Sequence, residues 1–271
     1  MNISILGCGW LGFPLAKSLL KKGFSVKGST TTLEKISVLK NAGISPYFVT
    51  LSAVEGQNNS NEIDTFLSNS QILIIDIPPK LRGNSNENFV AKIQNLIPFI
   101  EKSSVEKVLF VSSTSVYSDA ISIDLITEET IPKPETESGK QLLEAEKVLQ
   151  SNANFTTTVI RFGGLIGEDR HPIKFLAGRE NLENPEAPIN LIHQLDCIGI
   201  IECIICHTEL VEVFIAVAPF HPSRKEYYSK KAQELNLPLP KFDESKPSVG
   251  KIISSEKVMK VLGYEFQKPE L

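Results

Sequence analysis

The stretch Gly7-Cys8-Gly9-Trp10-Leu11-Gly12 constrains this chain more than any other, because of what flanks it. Asn2-Ile3-Ser4-Ile5-Leu6 reads as a strand, and Phe13-Pro14-Leu15-Ala16-Lys17-Ser18-Leu19-Leu20 reads as a helix. In a strand, glycine turn and helix of this kind, the first glycine allows a tight turn and the second lets the backbone approach a pyrophosphate. The third lets helix and strand pack closely, and the helix N-terminus faces the phosphates. The motif therefore predicts a dinucleotide site cradled by Gly7, Gly9, Trp10, Leu11 and Gly12.

The chain continues the alternation. Gly23 caps the first helix, and Phe24 to Gly28 makes a second strand ending in Ser29-Thr30-Thr31-Thr32, whose tip should face an adenosine ribose. A helix from Leu33 to Asn41 and a strand from Tyr47 to Leu51 follow, then a polar surface loop over 55–61. Gln71 to Ile77 is a nearly continuous apolar run, as in a parallel strand buried on both faces, and Pro78-Pro79 stops it. Phe89, Ile93, Ile97 and Ile100 predict a helix from about Asn86 to Lys102, which Pro98 should kink or shorten. Val108 to Val111 is a fifth strand running into Ser112-Ser113-Thr114-Ser115-Val116-Tyr117, hydroxyls placed where open α/β sheets hold ligands. A helix from Ser138 to Gln150 leads to a sixth strand, Thr156 to Phe162.

Six strands alternating with helices predict an α/β fold, a doubly wound parallel sheet over residues 1–165. Past Gly163 to Gly167 the alternation loosens. Residues 166–271 are expected to form a small mixed substrate lobe, with some segments returning to the sheet: Ile189 to His193, helices over 195–206, 223–235 and 255–262, and a strand over 211–217.

A net charge of −4 gives no basic field for nucleic acid. No apolar run approaches the ~20 residues of a membrane span, and no basic leader precedes the first strand, so a soluble cytoplasmic protein is expected, monomeric or homodimeric, with a small-molecule partner. Four cysteines in 271 residues suit a reducing compartment and read as small buried hydrophobes. Cys203-Ile204-Ile205-Cys206-His207 has the spacing of a haem-attachment site, but it reads as the end of an apolar helix and lacks a second cysteine pair for zinc. No metal is expected.

Together these landmarks resemble the extended short-chain dehydrogenase/reductase family, the NAD-dependent epimerase/dehydratase type. The resemblance covers nearly the whole chain. It rests on the glycine motif, Ser112 to Tyr117, Lys140-x-x-x-Glu144, Arg161-Phe162-Gly163-Gly164-Leu165-Ile166-Gly167 and Asn190-Leu191-Ile192-His193-Gln194-Leu195-Asp196. Gly9-Trp10-Leu11-Gly12-x-Pro14-Leu15-Ala16 and Ala218-Pro219-Phe220-His221-Pro222 resemble a narrower bacterial branch of it. The resemblance implies NAD(P) as cofactor, held by the glycine motif with Ser29, Thr30, Thr31, Ile77, Pro78, Pro79, Ser112, Lys140 and Phe162. It implies that Ser113 hydrogen-bonds the reacting oxygen, that Lys140 holds the nicotinamide ribose, and that substrate meets Ser113, Thr114, Arg170, His171 and His193.

The family's general acid/base is a tyrosine four residues before the lysine, and Thr136 stands there. An aliphatic hydroxyl is a far weaker acid than a phenol of pKa ≈ 10. Tyr117 is the nearest substitute in sequence, with His171, His193, Tyr227 and Tyr228 behind it; Arg161 and Arg170 are candidate clamps for a phosphate or carboxylate. Two classes of function stay open: an NAD(P)-dependent oxidoreductase or epimerase acting on a small polar or sugar-nucleotide substrate, and a non-catalytic dinucleotide-binding sensor or scaffold. A kinship with the 6-phosphogluconate and hydroxyacid dehydrogenases is opposed by the strand pattern of Val211 to Val217, because those enzymes continue into helices. NADP(H) is preferred over NAD(H), since no acid stands at the second strand's tip and Lys27 or Lys35 lies in reach of a 2′-phosphate.

Overall fold

Strand β1 (Asn2–Leu6) is buried from Ile3 onward and feeds through the glycine turn into helix α1 (Gly12–Lys21), whose Leu15, Ala16 and Leu19 face the core. The computed structural model describes residues 1–79, 81, 87–207 and 211–271. β2 (Ser25–Thr30), α2 (Glu34–Asn41) and β3 (Ser45–Phe48) follow, close to the ranges the sequence predicts. Then comes α3 (Ser60–Leu67), which overlaps the end of the expected loop. Its buried Ile63, Phe66 and Leu67 have helical spacing, but two turns among asparagines are too short for a periodic signal.

β4 (Ile72–Ile75) is buried at every position, as a parallel strand covered on both faces should be. α4 (Phe89–Lys102) opens at Asn88, whose side chain accepts the Ala91 N–H. Asn86, its expected start, lies outside the described residues. Pro98 does not shorten α4: Leu96 and Ile100 are buried on either side of it, and that packing outweighs a proline cost of about 3 kcal/mol. β5 (Lys107–Ser113) runs into a 3₁₀ turn over Thr114–Val116, then β6 (Asp124–Ile126), α5 (Glu137–Gln150) and β7 (Thr156–Phe162). Beyond these come β8 (Gly164–Ile166), α6 (Ile173–Leu176), β9 (Leu191–His193), α7 (Gln194–Cys206), β10 (Val213–Ala216), α8 (Arg224–Glu234), β11 (Lys251–Ile253) and α9 (Glu256–Leu262).

The central sheet has the order β10-β7-β5-β4-β1-β2-β3, seven strands where the sequence predicted six. The doubly wound parallel fold is as expected, with in-register parallel pairing from β3 through β5. The added strand is the Val211 to Val217 segment, one of the pieces that returns from the second half. The order reverses between β1 and β4, the arrangement that leaves a crevice at the strands' carboxyl ends.

The chain forms two compact units that interleave in sequence: Met1–Val116, Pro134–Arg161 and Ile201–Val213 in the first, Tyr117–Lys133, Phe162–Ile200 and Phe214–Leu271 in the second. The division at 161/162 lies four residues before the expected boundary at 165, and 117–133 joins the second unit. Within the second unit β6 pairs with β11 and β8 with β9, both parallel. Its core gathers Ile166, Ile173, Ile189, Leu191, Tyr227, Tyr228 and Ala232. Asp196 is fully buried there and satisfied, accepting from the Tyr264 hydroxyl at 2.9 Å and the Gln267 and Lys268 N–H groups at 2.7 and 3.2 Å. Among the described residues no helix is long and apolar enough to cross a membrane.

Candidate functional site

The three glycines of the turn are held differently. Gly7 has φ +106°, and a Cβ there would stand under 3.0 Å from the Asp76 carbonyl oxygen. A Cβ on Gly12 would stand under 3.0 Å from the Gly7 carbonyl oxygen and 3.1 Å from Asp76 Oδ2. Neither position takes a side chain. Gly9 is the opposite case, exposed and with nothing within 4 Å of a Cβ position, so a phosphate has room to approach there, while its N–H donates to the Gly7 carbonyl at 2.7 Å. The N-cap of α1, Leu11, makes no side-chain capping bond, and the first turn holds no acid. Its N-terminal partial charge is therefore not offset from its own sequence. Trp10 beside it is partly buried and Leu11 buried.

Asp76 is the residue that sequence reasoning missed. It follows β4 at the switch point and accepts the Gly12 N–H, and burial pushes its carboxyl up to about 8. The signal was present: an acid ending a wholly apolar strand needs a donor, and the nearest are N–H groups at a helix start. Burial and the Asp76 charge push the Cys8 thiol up to about 12, so that sulfur is an inert packing group. Ile77 abuts the Gly7 position, Pro78 is exposed and Pro79 partly so.

At the tip of β2, Ser29 is 2% exposed and its hydroxyl oxygen accepts the Gly7 N–H at 2.9 Å, so it braces the turn instead of facing a ribose. Thr30 is also buried, its hydroxyl oxygen taking the Thr32 N–H, while Thr31 is exposed. Lys27 does not reach toward a 2′-phosphate. Its ammonium donates to the Thr65 and Ser68 carbonyls at 2.8 and 2.6 Å, capping the end of α3. Beyond β3, a cavity of about 560 Å³ is lined by Thr50, Leu51, Ser52, Val54, Asn88 and Lys92, with Lys92 ion-paired to Glu87.

At the end of β5 the hydroxyls divide. Ser112 is buried and donates to Glu146 Oε1 at 2.5 Å; Arg161 holds the same carboxylate, Nη2 to Oε2 at 2.5 Å and Nε to both oxygens at 3.1 and 3.2 Å. This sealed network takes Ser112 and Arg161 out of ligand binding. Glu146 lies four residues past Leu142 on the buried face of α5, a position where an acid demands a buried cation. Ser113 is only partly buried; its oxygen accepts the Ser115 N–H at 3.1 Å, which leaves its proton to donate outward. Thr114 is buried.

Thr136 is the N-cap of α5, with its Oγ1 accepting the Gly139 N–H at 3.1 Å. Lys140 lies one turn on, exposed, with no ion pair or side-chain hydrogen bond among the described residues. Gly139 joins this turn to the serines: its Cβ would stand under 3.0 Å from the Ser115 carbonyl oxygen, so α5 packs backbone to backbone on the 3₁₀ turn after Ser113.

The remaining candidates lie in the second unit. Tyr117 is 3% exposed, which makes its ring a packing group, and its carbonyl accepts the Lys251 ammonium at 2.8 Å. Phe162 is buried at the end of β7, and Arg170 is exposed. His171 Nδ1 accepts the Ile173 N–H at 3.1 Å, so Nε2 carries the proton and donates to the Tyr227 hydroxyl at 2.9 Å. Burial, with Lys231 and Lys174 adding, pushes His171 down to about 4 and burial raises Tyr227, a neutral pair set against Tyr228. His193 Nδ1 accepts the Leu195 N–H at 3.2 Å at the start of α7, and burial lowers it as well.

No family model matches the chain. The protein YeeZ of Escherichia coli strain K12 is 34% identical over 271 residues, 99% of this chain and 97% of that one. Among solved structures, MoeE5 in complex with UDP-glucose and NAD is similar at TM-score 0.78 and 17% identity, covering 98% of this chain and 94% of its own. UDP-N-acetylglucosamine 4-epimerase from Bacillus cereus is similar at TM-score 0.78 and 14% identity, covering 98% and 91%. These likenesses show the fold, and the identity to YeeZ over nearly the full length of both chains shows the kinship: this protein belongs to the YeeZ family, on the fold of the extended short-chain dehydrogenases/reductases.

Proposed function

We propose that this protein holds a nicotinamide dinucleotide at the Gly7 to Gly12 turn and acts as an oxidoreductase or epimerase/dehydratase on a small polar or sugar-nucleotide substrate. The observation that carries the reading is the turn, closed at Gly7 and Gly12 and open at Gly9, at the carboxyl end of β1 beside β4. The residues fit the group: the clear space over Gly9 and a start of α1 with no acid in its own first turn suit a pyrophosphate, as a side chain at Gly9 would not. The ligands named for MoeE5, a UDP-sugar and NAD, support the substrate class.

When bound, the nicotinamide supplies a hydride donor or acceptor. Ser113 donates its free proton to the oxygen of the reacting carbon and polarises that bond. Lys140, next to the Gly139 that packs on the turn after Ser113, gives an ammonium to the ribose hydroxyls and to the same oxygen. Thr136 orders the first turn of α5 and moves no proton. NADP(H) is the favoured form: the tip of β2 carries no acid against a 2′-phosphate, and with Lys27 committed elsewhere the exposed Lys35 is the remaining candidate cation of the two. The protein acts in the cytoplasm as a monomer or homodimer.

Thr136 also favours a second reading, a dinucleotide sensor without turnover, because the position of the family's phenol is given over to a helix cap. Native mass spectrometry of protein purified without added cofactor tests both. A co-purifying dinucleotide with a sugar nucleotide supports the enzyme, a dinucleotide alone with no turnover of any UDP-sugar supports the sensor, and no dinucleotide bound even after millimolar NAD(H) and NADP(H) are added contradicts both.

A further inference from the structure

The last turn of α7 carries two cysteines that the dinucleotide chemistry does not use. Ile200, Ile201, Ile204 and Ile205 point this helix into the core, which leaves Cys203 and Cys206 on its outer stripe, Cys203 partly exposed and Cys206 exposed. The expectation that all four cysteines are buried hydrophobes holds for Cys8 and Cys197 and fails here, because a spacing of three from Cys203 turns Cys206 to solvent. His207 folds back on the same turn, its Nδ1–H donating to the Cys203 carbonyl at 2.8 Å.

Residues three apart on a helix hold their Cβ atoms ~5–6 Å apart. A disulfide needs roughly 3.5–4.5 Å, so joining these sulfurs directly would unwind the turn. One atom bonded to both, through bonds of roughly 2.3 Å, spans the gap with the helix intact. Among the described residues no three His, Cys, Asp or Glu side chains are gathered for a metal, whereas a closed zinc site takes four ligands. Two sulfurs alone suit a soft ion of low coordination number. Burial, with Cys206 and Glu202 adding, holds the Cys203 thiol up, and the Lys22 ammonium, ion-paired to Glu202 at 3.0 Å, offsets part of this.

The geometry points to a two-thiolate site at Cys203 and Cys206 for a single soft monovalent ion of the copper(I) type. On binding, two S–H bonds break, two S–Cu bonds form, both protons pass to water and no atom changes oxidation state. The full-length protein, kept anaerobic with a non-thiol reductant, is titrated against the coloured copper(I)–bicinchoninate complex. One equivalent withdrawn from the chelator is expected, with both cysteines then protected from iodoacetamide in the mass spectrum. Cys203→Ser and Cys206→Ser should each abolish the withdrawal, Cys197→Ala should retain it, and Lys22→Met should keep the stoichiometry at lower affinity. Protection of the wild-type thiols decides the matter even where a variant folds poorly. Copper left with the chelator, uptake that survives the double serine variant, or protection confined to Cys8 and Cys197 would overturn the site.

Discussion

The two ends of the first unit's ligand edge are built on different principles. At the carboxyl ends of β1 and β4 the determinants are backbone: Gly7 and Gly12 are locked by carbonyl oxygens under 3.0 Å from any added Cβ. At the end of β5 they are side chains, a half-buried Ser113, an exposed Lys140 and a Thr136 whose hydroxyl is spent on a helix cap. The first arrangement leaves almost no substitution open, whereas the second lets the chemistry change while the helix that carries it stays in place. On the proposed function, binding and turnover are therefore separable, and variants at the two ends should fail in different ways.

The largest effect is expected at Gly12. Gly12→Ala drives a methyl into the Gly7 carbonyl, and the turn should lose more than about 4 kcal/mol, read as a fall in the urea midpoint. An unchanged midpoint would break the contrast at its rigid end. Next come the partners beneath the serines: Arg161→Met leaves the buried Glu146 carboxyl without its cation, at a cost of about 3–5 kcal/mol, and adding Glu146→Leu should recover most of it. If the double variant is as unstable as the single one, the network does more than satisfy itself.

Asp76 gives an intermediate, pH-dependent effect. Its native carboxyl keeps a proton up to about 8, while the unfolded chain releases one near ~3.9. Between those values the native state binds more protons, so this group's contribution to stability falls as pH rises from about 4 to about 8 and is flat above. Asp76→Asn should remove that slope in denaturation curves taken at several pH values, and a slope that persists would show that the acid is not the titrating group. The smallest change is expected at Thr136, where Thr136→Ala costs about 1 kcal/mol of helix capping and leaves dinucleotide affinity and any turnover nearly as they were. A large loss of turnover would restore Thr136 to the chemistry.

Much of this was legible in the sequence because it is local. The glycine turn, the apolar run of β4 and the hydroxyl cluster after β5 each announce themselves within ten residues. What was hidden depends on partners far along the chain. Ser29 looks like a ribose ligand until Gly7 claims its oxygen, Lys27 looks like a phosphate ligand until α3 ends beneath it, and Ser112 looks free until Glu146 arrives from α5. Thr136 could be read as a missing tyrosine from spacing alone, but its use as a cap needed the observed start of α5 at Glu137.

Calorimetric titration of NAD(H) and NADP(H) into the wild-type protein and Gly9→Val tests the central claim most directly, because Gly9 has open space around it and the substitution leaves the fold alone. The account predicts one dinucleotide bound per wild-type chain, NADP(H) the tighter, and none by a Gly9→Val protein with an unchanged urea midpoint. Equal binding by both proteins, or binding by neither, would contradict it.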